Sequence, residues 1–195
     1  MGISENFQNI ATQFNGEVKK GTYGPLDSVV KGKRSVEVTG CYLGHSFSIK
    51  NSVEGTGGGG SAGGGSGTYL YIDFRFIGEP KVPFFKIKKK GILNVLFNES
   101  SFYAKESKLE QSEINIGSRK YLISSDELGT VLSLMKDESI SSSLNLLLSN
   151  YPSSIIEVTK PGICWTKQLF FNHTSTDKII KTLEVLNILA RSLEK

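Results

Sequence analysis

Alternating apolar and polar residues mark the clearest strand in the sequence, TYLYIDFRFIG at 68–78. Leu70, Ile72, Phe74 and Phe76 occupy every second position, and tyrosines or charged residues lie between them. A period of two predicts an antiparallel strand with one face in the core and the other toward solvent. Further strands are predicted for the segments 35–51, 82–91, 92–98, 112–125, 154–160 and 162–171.

The N-terminal part of the chain combines one helix with a broken strand. Ser4 is the predicted cap of the helix, and Gly16 is the predicted left-handed stop. The following extended segment is predicted to break at Gly40 and at Gly44. The helix is amphipathic, and its apolar face consists of Phe7, Ile10, Ala11 and Phe14.

Helical spacing returns in the second half of the chain. Ser124 and Glu127 predict a capping box that opens a helix pair, and a last helix is predicted to begin near Thr174 or Thr176. Two strands around the turn at Pro161 separate the pair from this last helix. The apolar positions of the three helices are Leu128, Val131, Leu132 and Met135, then Ile140, Leu144, Leu147 and Leu148, and finally Ile179, Leu183, Leu186, Ala190 and Leu193.

This order of elements favours an α+β fold. Strands come in runs rather than in strict alternation with helices, which predicts an antiparallel sheet. The N-terminal helix, the central helix pair and the C-terminal helix are predicted to pack on one face of it. A chain of 195 residues that is 38% hydrophobic can bury the core of one domain, so a single domain is predicted over 1–195.

A run of glycine and serine at 55–68, GTGGGGSAGGGSGT, interrupts the pattern between two predicted neighbouring strands. Its composition is that of a designed flexible linker, and the Gly-Thr pair at both ends resembles a cloning scar. The favoured interpretation is an engineered linker that replaced a natural segment. The alternative is a natural disordered hairpin tip.

Charge and composition exclude several classes of protein. Lys and Arg number 23 against 19 Asp and Glu, and a net charge of +4 falls short of a dedicated nucleic-acid binder, so no nucleic-acid partner is expected. The N-terminus has no secretory pattern, and the sequence holds no apolar run of about 18 residues. The expected location is cytoplasmic, or at the cytoplasmic face of a membrane.

Candidate catalytic and metal-binding residues are few. His45 and His173 are the two histidines, and Cys41 and Cys164 the two cysteines, but their spacing matches no zinc, redox or nucleophile motif. No cofactor, metal site or catalytic residue is therefore predicted. Asp73 and Arg75 are interpreted as charges on the solvated face of a strand, and Trp165 as a core residue.

A basic run with interleaved phenylalanines is the candidate binding site. It consists of Lys81, Phe84, Phe85, Lys86, Lys88, Lys89 and Lys90. Lysine at the edge of a sheet protects against aggregation, and a solvated edge strand is the favoured interpretation. A mixture of lysine and phenylalanine also suits an anionic membrane surface, which is kept as the alternative.

The segment SEINIGSRKYLISSDELGTVLSLM resembles an uncharacterised family of bacterial α+β domains. Its pattern, DI-x-IG, then F-x-I, D/E and LL, is matched at Ile114, Ile116, Gly117, Ile123, Asp126 and Leu132. Where that family has Phe-Asp before the strand, this chain has Lys120 and Tyr121. The resemblance implies the same order of elements and no known activity.

The sequence therefore predicts a non-catalytic interaction or scaffold domain with an unknown protein partner. This prediction is compatible with the soluble part of a larger or membrane-associated protein. One alternative is a module that binds anionic membranes through the lysine run at 81–90. The other is a hydrolase or transferase that uses His45 or His173, which would need a polar pocket that joins distant parts of the chain.

Overall fold

The computed structural model describes residues 3–20, 36–54, 67–90, 109–169 and 175–195. The strands are β1 Glu17–Lys20, β2 Val36–Tyr42, β3 His45–Glu54, β4 Gly67–Arg75, β5 Phe85–Lys89, β6 Glu110–Ile116, β7 Arg119–Ser125, β8 Ile155–Thr159 and β9 Gly162–Leu169. The helices are α1 Ile3–Gln13, α2 Leu128–Leu134, α3 Glu138–Asn150 and α4 Thr176–Leu193. Among the described helices, none is long and apolar enough to cross a membrane.

The nine strands among the described residues form one sheet with the order β1-β2-β3-β4-β9-β8-β5-β7-β6. Every neighbouring pair is antiparallel. The predicted α+β class and antiparallel sheet are therefore confirmed. The order also shows that the β8–β9 hairpin, although late in the chain, lies between β4 and β5.

One face of the sheet is apolar. Strand pairing aligns one residue from each of seven strands into a row, and these side chains are at most 1% exposed. We call this the apolar row: Val38, Ile49, Ile72, Trp165, Ile156, Ile87 and Ile123. Trp165 is thus a core residue, as predicted, and the predicted apolar stripe of α4 is also buried.

The opposite face carries a second row, which we call the polar row. Each of its members is the residue directly before or after a member of the apolar row on the same strand. Successive side chains of a strand point to opposite faces, so the pairing that aligns the apolar row also aligns this one. Its members are Thr39, Ser48, Asp73, Cys164, Glu157, Lys86 and Ser124.

Three helices contact side chains of the apolar face. Phe14, just after α1, meets the ring of Phe47 edge-on, with the ring centroids 5.6 Å apart. The Tyr121 hydroxyl donates a hydrogen bond to the carbonyl of Leu148 in α3 at 3.2 Å. Glu194, the C-cap of α4, lies beside His45. The finer prediction, that all helices pack on one face, stays a prediction.

Both ends of α1 differ from the sequence prediction. The helix begins at Ile3, so Ser4 lies inside it and is not its cap. Asn15 takes the left-handed conformation, with φ 49°, and Gly16 does not. Glycine is needed at position 16 for another reason, because a Cβ there would lie 2.1 Å from the carbonyl oxygen of Thr39 in β2.

The predicted capping box of α2 is wrong. Ser124 belongs to β7, where it pairs with Lys86, and Glu127 is an N-cap whose side chain makes no capping hydrogen bond. The neighbouring serine bonds to the backbone of this N-cap residue instead. Ser125 Oγ accepts a hydrogen bond from the Glu127 amide at 3.0 Å and donates one to the carbonyl of Phe84 at 2.7 Å.

The predicted break of the second strand at Gly40 is also wrong. β2 continues through Gly40, and a Cβ at that position would lie 2.6 Å from the Phe47 ring, so glycine makes room for the aromatic side chain. The chain turns at Leu43 and Gly44, which both have positive φ. β1 was not predicted, because four residues that end in two lysines carry little strand signal.

The Gly/Ser run joins two strands that are neighbours in the sheet. β3 and β4 pair antiparallel, with Glu54 opposite Gly67. Residues 55–66 of the predicted linker lie outside the described residues, as do His173 and the predicted strand at 92–98. The α4 helix begins at Thr176, one of the two predicted starts.

Candidate functional site

The lysine run lies on a central strand of the sheet. β5 pairs with β7 on one side and with β8 on the other. The favoured interpretation of this run, a solvated edge strand, is therefore wrong. The sequence could not show this, because both neighbours of β5 come from parts of the chain at least 30 residues away.

Two members of the run are covered by the fold. Phe85 is fully buried in the core. Lys86 points to the opposite face, where its side chain is 9% exposed and its amine lies 3.9 Å from the carboxylate of Glu157. Neither side chain is presented to a partner in this structure.

The remaining residues divide between the two ends of β5. Lys81 is exposed and Phe84 half-buried, and both precede the first residue of the strand. Lys89 and Lys90 are exposed at its other end, and Lys88 is half-buried beside them. The mixture of lysine and phenylalanine that is contiguous in sequence is therefore separated by the length of the strand.

β7 adds two cations to the end of β5 where the lysines cluster. Lys89 is the register partner of Tyr121, and the Lys90 amide donates a hydrogen bond to the carbonyl of Lys120 at 3.3 Å. Arg119 and Lys120 begin β7 and are exposed. We call the five side chains together the basic end: Lys88, Lys89, Lys90, Arg119 and Lys120.

The positive charge of the basic end lowers the pKa of one acidic side chain, Glu113. Glu113 in β6 accepts a hydrogen bond from the Lys90 amine. This bond and the charge of Lys90 lower the pKa of Glu113, and the charge of Lys120 lowers it further. Arg119 and Lys120 were not predicted as members of this site because they lie about 30 positions from Lys90 in the sequence, and only strand pairing brings them together.

Cations also crowd the apolar face at the same end of the sheet. Lys167 in β9 places its amine 4.4 Å from the centroid of the Tyr151 ring. Burial lowers the pKa of Lys167, and the charge of Lys178 in α4 lowers it further. A lysine held over an aromatic ring next to a second lysine indicates positive potential here as well.

The cysteines and the described histidine do not form a nucleophilic pair. Cys164 belongs to the polar row, and burial together with Asp73 raises the pKa of its thiol to about 12. Cys41 is exposed on the same face, while His45 is buried on the apolar face. Within the described ranges, no group of three or more His, Cys, Asp and Glu side chains could hold a metal ion.

His45 instead links β4 to the end of α4. Its Nδ1 lies 2.9 Å from the carbonyl oxygen of Arg75, and its Nε2 lies 3.8 Å from one carboxylate oxygen of Glu194. The other oxygen of Glu194 accepts a hydrogen bond from the Ile77 amide at 2.6 Å. The His45 ring is fully buried, and its Nε2 makes no hydrogen bond.

No family model matches the chain, and neither does any curated protein or solved structure. The resemblance to bacterial α+β domains at 112–135 stays a prediction.

Proposed function

We propose that this chain is a non-catalytic interaction domain that binds an anionic membrane surface through its basic end. The observation that carries the proposal is that five cations lie at the adjoining ends of two strands. Lys88, Lys90 and Lys120 lie on the face of the polar row, and Lys89 and Arg119 lie on the opposite face. Glu113 is the acidic side chain in contact with them. Such a cluster attracts anionic lipid headgroups, and each cation near the surface contributes about 1 kcal/mol.

The proposed mode of binding is electrostatic and does not require insertion. Phe85 is in the core and Phe84 lies beyond the other end of β5, so neither phenylalanine of the run lies beside the basic end. Binding should then weaken steeply with salt, because screening acts strongly on exposed charges. The cytoplasmic leaflet carries the anionic lipids, which favours the cytoplasmic face of a membrane.

Two features support the non-catalytic part of the proposal. The thiol of Cys164 stays protonated near neutral pH, since its pKa is raised to about 12, and a thiol is a poor nucleophile. His45 is separated from Cys41 and Cys164 by the sheet itself.

Sedimentation with vesicles tests the proposal. Lys89, Arg119 and Lys120 are replaced together by Ser, and the matched control replaces Lys81, Lys160 and Lys195, three exposed lysines outside the basic end. We expect the parent to bind vesicles that contain phosphatidylserine at low salt and not neutral vesicles. The first variant should lose affinity by about a hundredfold, and the control should lose much less.

Three outcomes would overturn the proposal. The parent could fail to bind anionic vesicles at low salt. The two triple variants could lose affinity equally, which would show that binding depends on net charge and not on the position of the basic end. Single-stranded nucleic acid, added as a competitor, could displace the parent protein from the vesicles, which would assign the basic end to another polyanion. Circular dichroism of both variants checks that the fold is unchanged.

A further inference from the structure

We propose that β6 is a dimerisation edge, at which a second copy of this chain adds its own β6 antiparallel and continues the sheet. β6 stands last in the strand order, and β7 is its one neighbour among the described strands. It is seven residues long, and its pairing with β7 is continuous. An open edge of this kind is a template for another strand. The dimer does not depend on the proposed function.

The backbone of β6 offers hydrogen-bonding groups to such a strand. The Lys90 amide donates a hydrogen bond to the Lys120 carbonyl, so Lys120 faces β5. Successive residues of an antiparallel strand face opposite neighbours, and Tyr121 therefore faces β6, where its register partner is Ile114. Every second residue of β6, counted from the neighbours of Ile114, then directs its N–H and C=O groups away from the sheet. These outward-facing residues are Gln111, Glu113 and Asn115.

An apolar cavity lies beside this edge, between β6 and the helices α2 and α3. Its volume is about 300 Å³, and its apolar lining consists of Ile114, Ile116, Met135 and Leu144. Ile114 and Ile116 are partly buried and pack against the core. A strand added to β6 would place every second side chain on the same face of the sheet, next to the cavity. The edge therefore combines open backbone groups with space for an apolar side chain.

Charge complementarity favours a second copy as the occupant. Glu110 begins β6, and Arg119 follows the turn at its other end. Both side chains are exposed, and they lie on the same face of the sheet. A two-fold axis reverses the strand, so the beginning of one β6 meets the end of the other, and every contact occurs twice. Each Glu110 is thereby brought toward Arg119 of the second copy.

One register suits this pairing best. With Ile114 on the two-fold axis, the two Ile114 side chains form a close apolar pair beside the cavities. The outward-facing Glu113 and Asn115 then lie opposite each other and exchange both backbone hydrogen bonds. An axis at Glu113 would instead set two carboxylates directly opposite, which is destabilising. An axis at Ser112 would place Glu110 against Ile114.

Sedimentation equilibrium of charge variants tests the pairing. With the axis at Ile114, Glu110 lies opposite Ser118 of the second copy, one residue before Arg119. Arg119→Glu should raise the dissociation constant of the dimer about tenfold, because like charges meet twice per dimer. Adding Glu110→Arg should restore the parent value. The control adds Glu79→Arg to Arg119→Glu, at an exposed glutamate between β4 and β5, and should restore the net charge without restoring the dimer.

A proline at the edge tests the hydrogen bonds. Because the Asn115 amide points outward, Asn115→Pro removes no bond between β6 and β7, and proline is tolerated on the open side of an edge strand. The dissociation constant should rise about a hundredfold, since the same bond is lost twice and the ring blocks the edge. Asn115→Ala keeps the amide and should dimerise as the parent does. Circular dichroism checks that both variants fold.

Hydrogen exchange of the parent decides the question if a variant does not fold. The amides of Glu113 and Asn115 should exchange more slowly at high than at low protein concentration, while the Ile114 amide, which faces β7, should be protected at both. A parent that is monomeric at about 1 mM would overturn the proposal. So would a dimer that Asn115→Pro and Arg119→Glu leave intact, or one in which the Glu113 and Asn115 amides gain no protection.

Discussion

The apolar row and the polar row cross the same seven strands one residue apart, yet they differ in almost every physical property. The apolar row contains no charge and is almost completely buried. The polar row contains Asp73, Glu157 and Lys86, and most of its members are half-exposed. Because the side-chain period of a strand is two, one set of backbone pairings fixes both rows at once.

The difference teaches where each row obtains its stability. Ile49 and Ile72 contribute through loss of water and close contacts, which act in every direction. Lys86 and Glu157 need each other's charge, because a buried ion is costly unless it is paired. A shift of register by one residue would bring the charges to the core face and the isoleucines to the other face, so the two rows together oppose such a shift.

The largest effect is expected from adjacent residues of β3. Ile49→Ala should lower the free energy of unfolding by about 2–5 kcal/mol, because it removes fully buried methyl groups and leaves a cavity. Lys50→Ala, on the exposed face, should change it by less than about 0.5 kcal/mol. Urea unfolding measures both. Equal losses would show that side chains on the two faces of the sheet contribute equally to the free energy of unfolding.

The ion pair of the polar row should give the next largest effect. Glu157→Gln removes the carboxylate that lies 3.9 Å from the covered amine of Lys86 and should lower the free energy of unfolding by up to about 3 kcal/mol. Adding Lys86→Met should restore most of that loss, since the double variant no longer covers a charged amine. Thermal unfolding of the single and double variants checks this. A double variant less stable than Glu157→Gln would contradict it.

The tight contact at Gly40 should give a smaller loss. Gly40→Ala places a methyl group 2.6 Å from the Phe47 ring and should cost about 1–3 kcal/mol. Gly78→Ala is the control, because nothing lies within 4 Å of its added carbon. Unfolding in urea compares the two. A Gly40→Ala protein as stable as Gly78→Ala would mean that the ring moves aside freely.

The smallest effect concerns Cys164. In the folded protein its pKa is raised from 9.0 to about 12, so the unfolded chain loses this proton first. Stability should therefore fall as the pH rises above about 9, and the loss should reach about 1.4 kcal/mol at pH 10, where the comparison is made. Cys164→Ala should lack this contribution, and the difference between the two urea titrations isolates it. Parallel curves would show that the thiol ionises normally.

The sequence predicted the parts of this fold that depend on local period. The alternation from Leu70 to Phe74 gave both the strand and its buried face, and the stripe from Ile179 to Leu193 gave α4. In each case the pattern of apolar residues lies in one continuous segment. The element and its buried face can therefore be predicted without knowledge of the residues that cover it. The α+β class followed from the order of these segments.

What the sequence did not predict depends on contacts between distant residues. β5 lies inside the sheet because β7 and β8 flank it, and no property of FKIKK distinguishes a central strand from an edge. Arg119 and Lys120 join the lysines only through that pairing. At Gly40 the demand for glycine comes from Phe47, and at Gly16 it comes from a carbonyl of another strand.

The position of the β8–β9 hairpin has a consequence for synthesis of the chain. When translation has passed Asn150, all residues of β1 to β7 exist, but β4 still lacks its neighbour β9 and β5 still lacks its neighbour β8. Unpaired strand edges recruit other chains, and pairing between distant segments is slow. The nascent protein is therefore most exposed to aggregation just before residues 155–169 emerge, because that hairpin unites the two parts of the sheet.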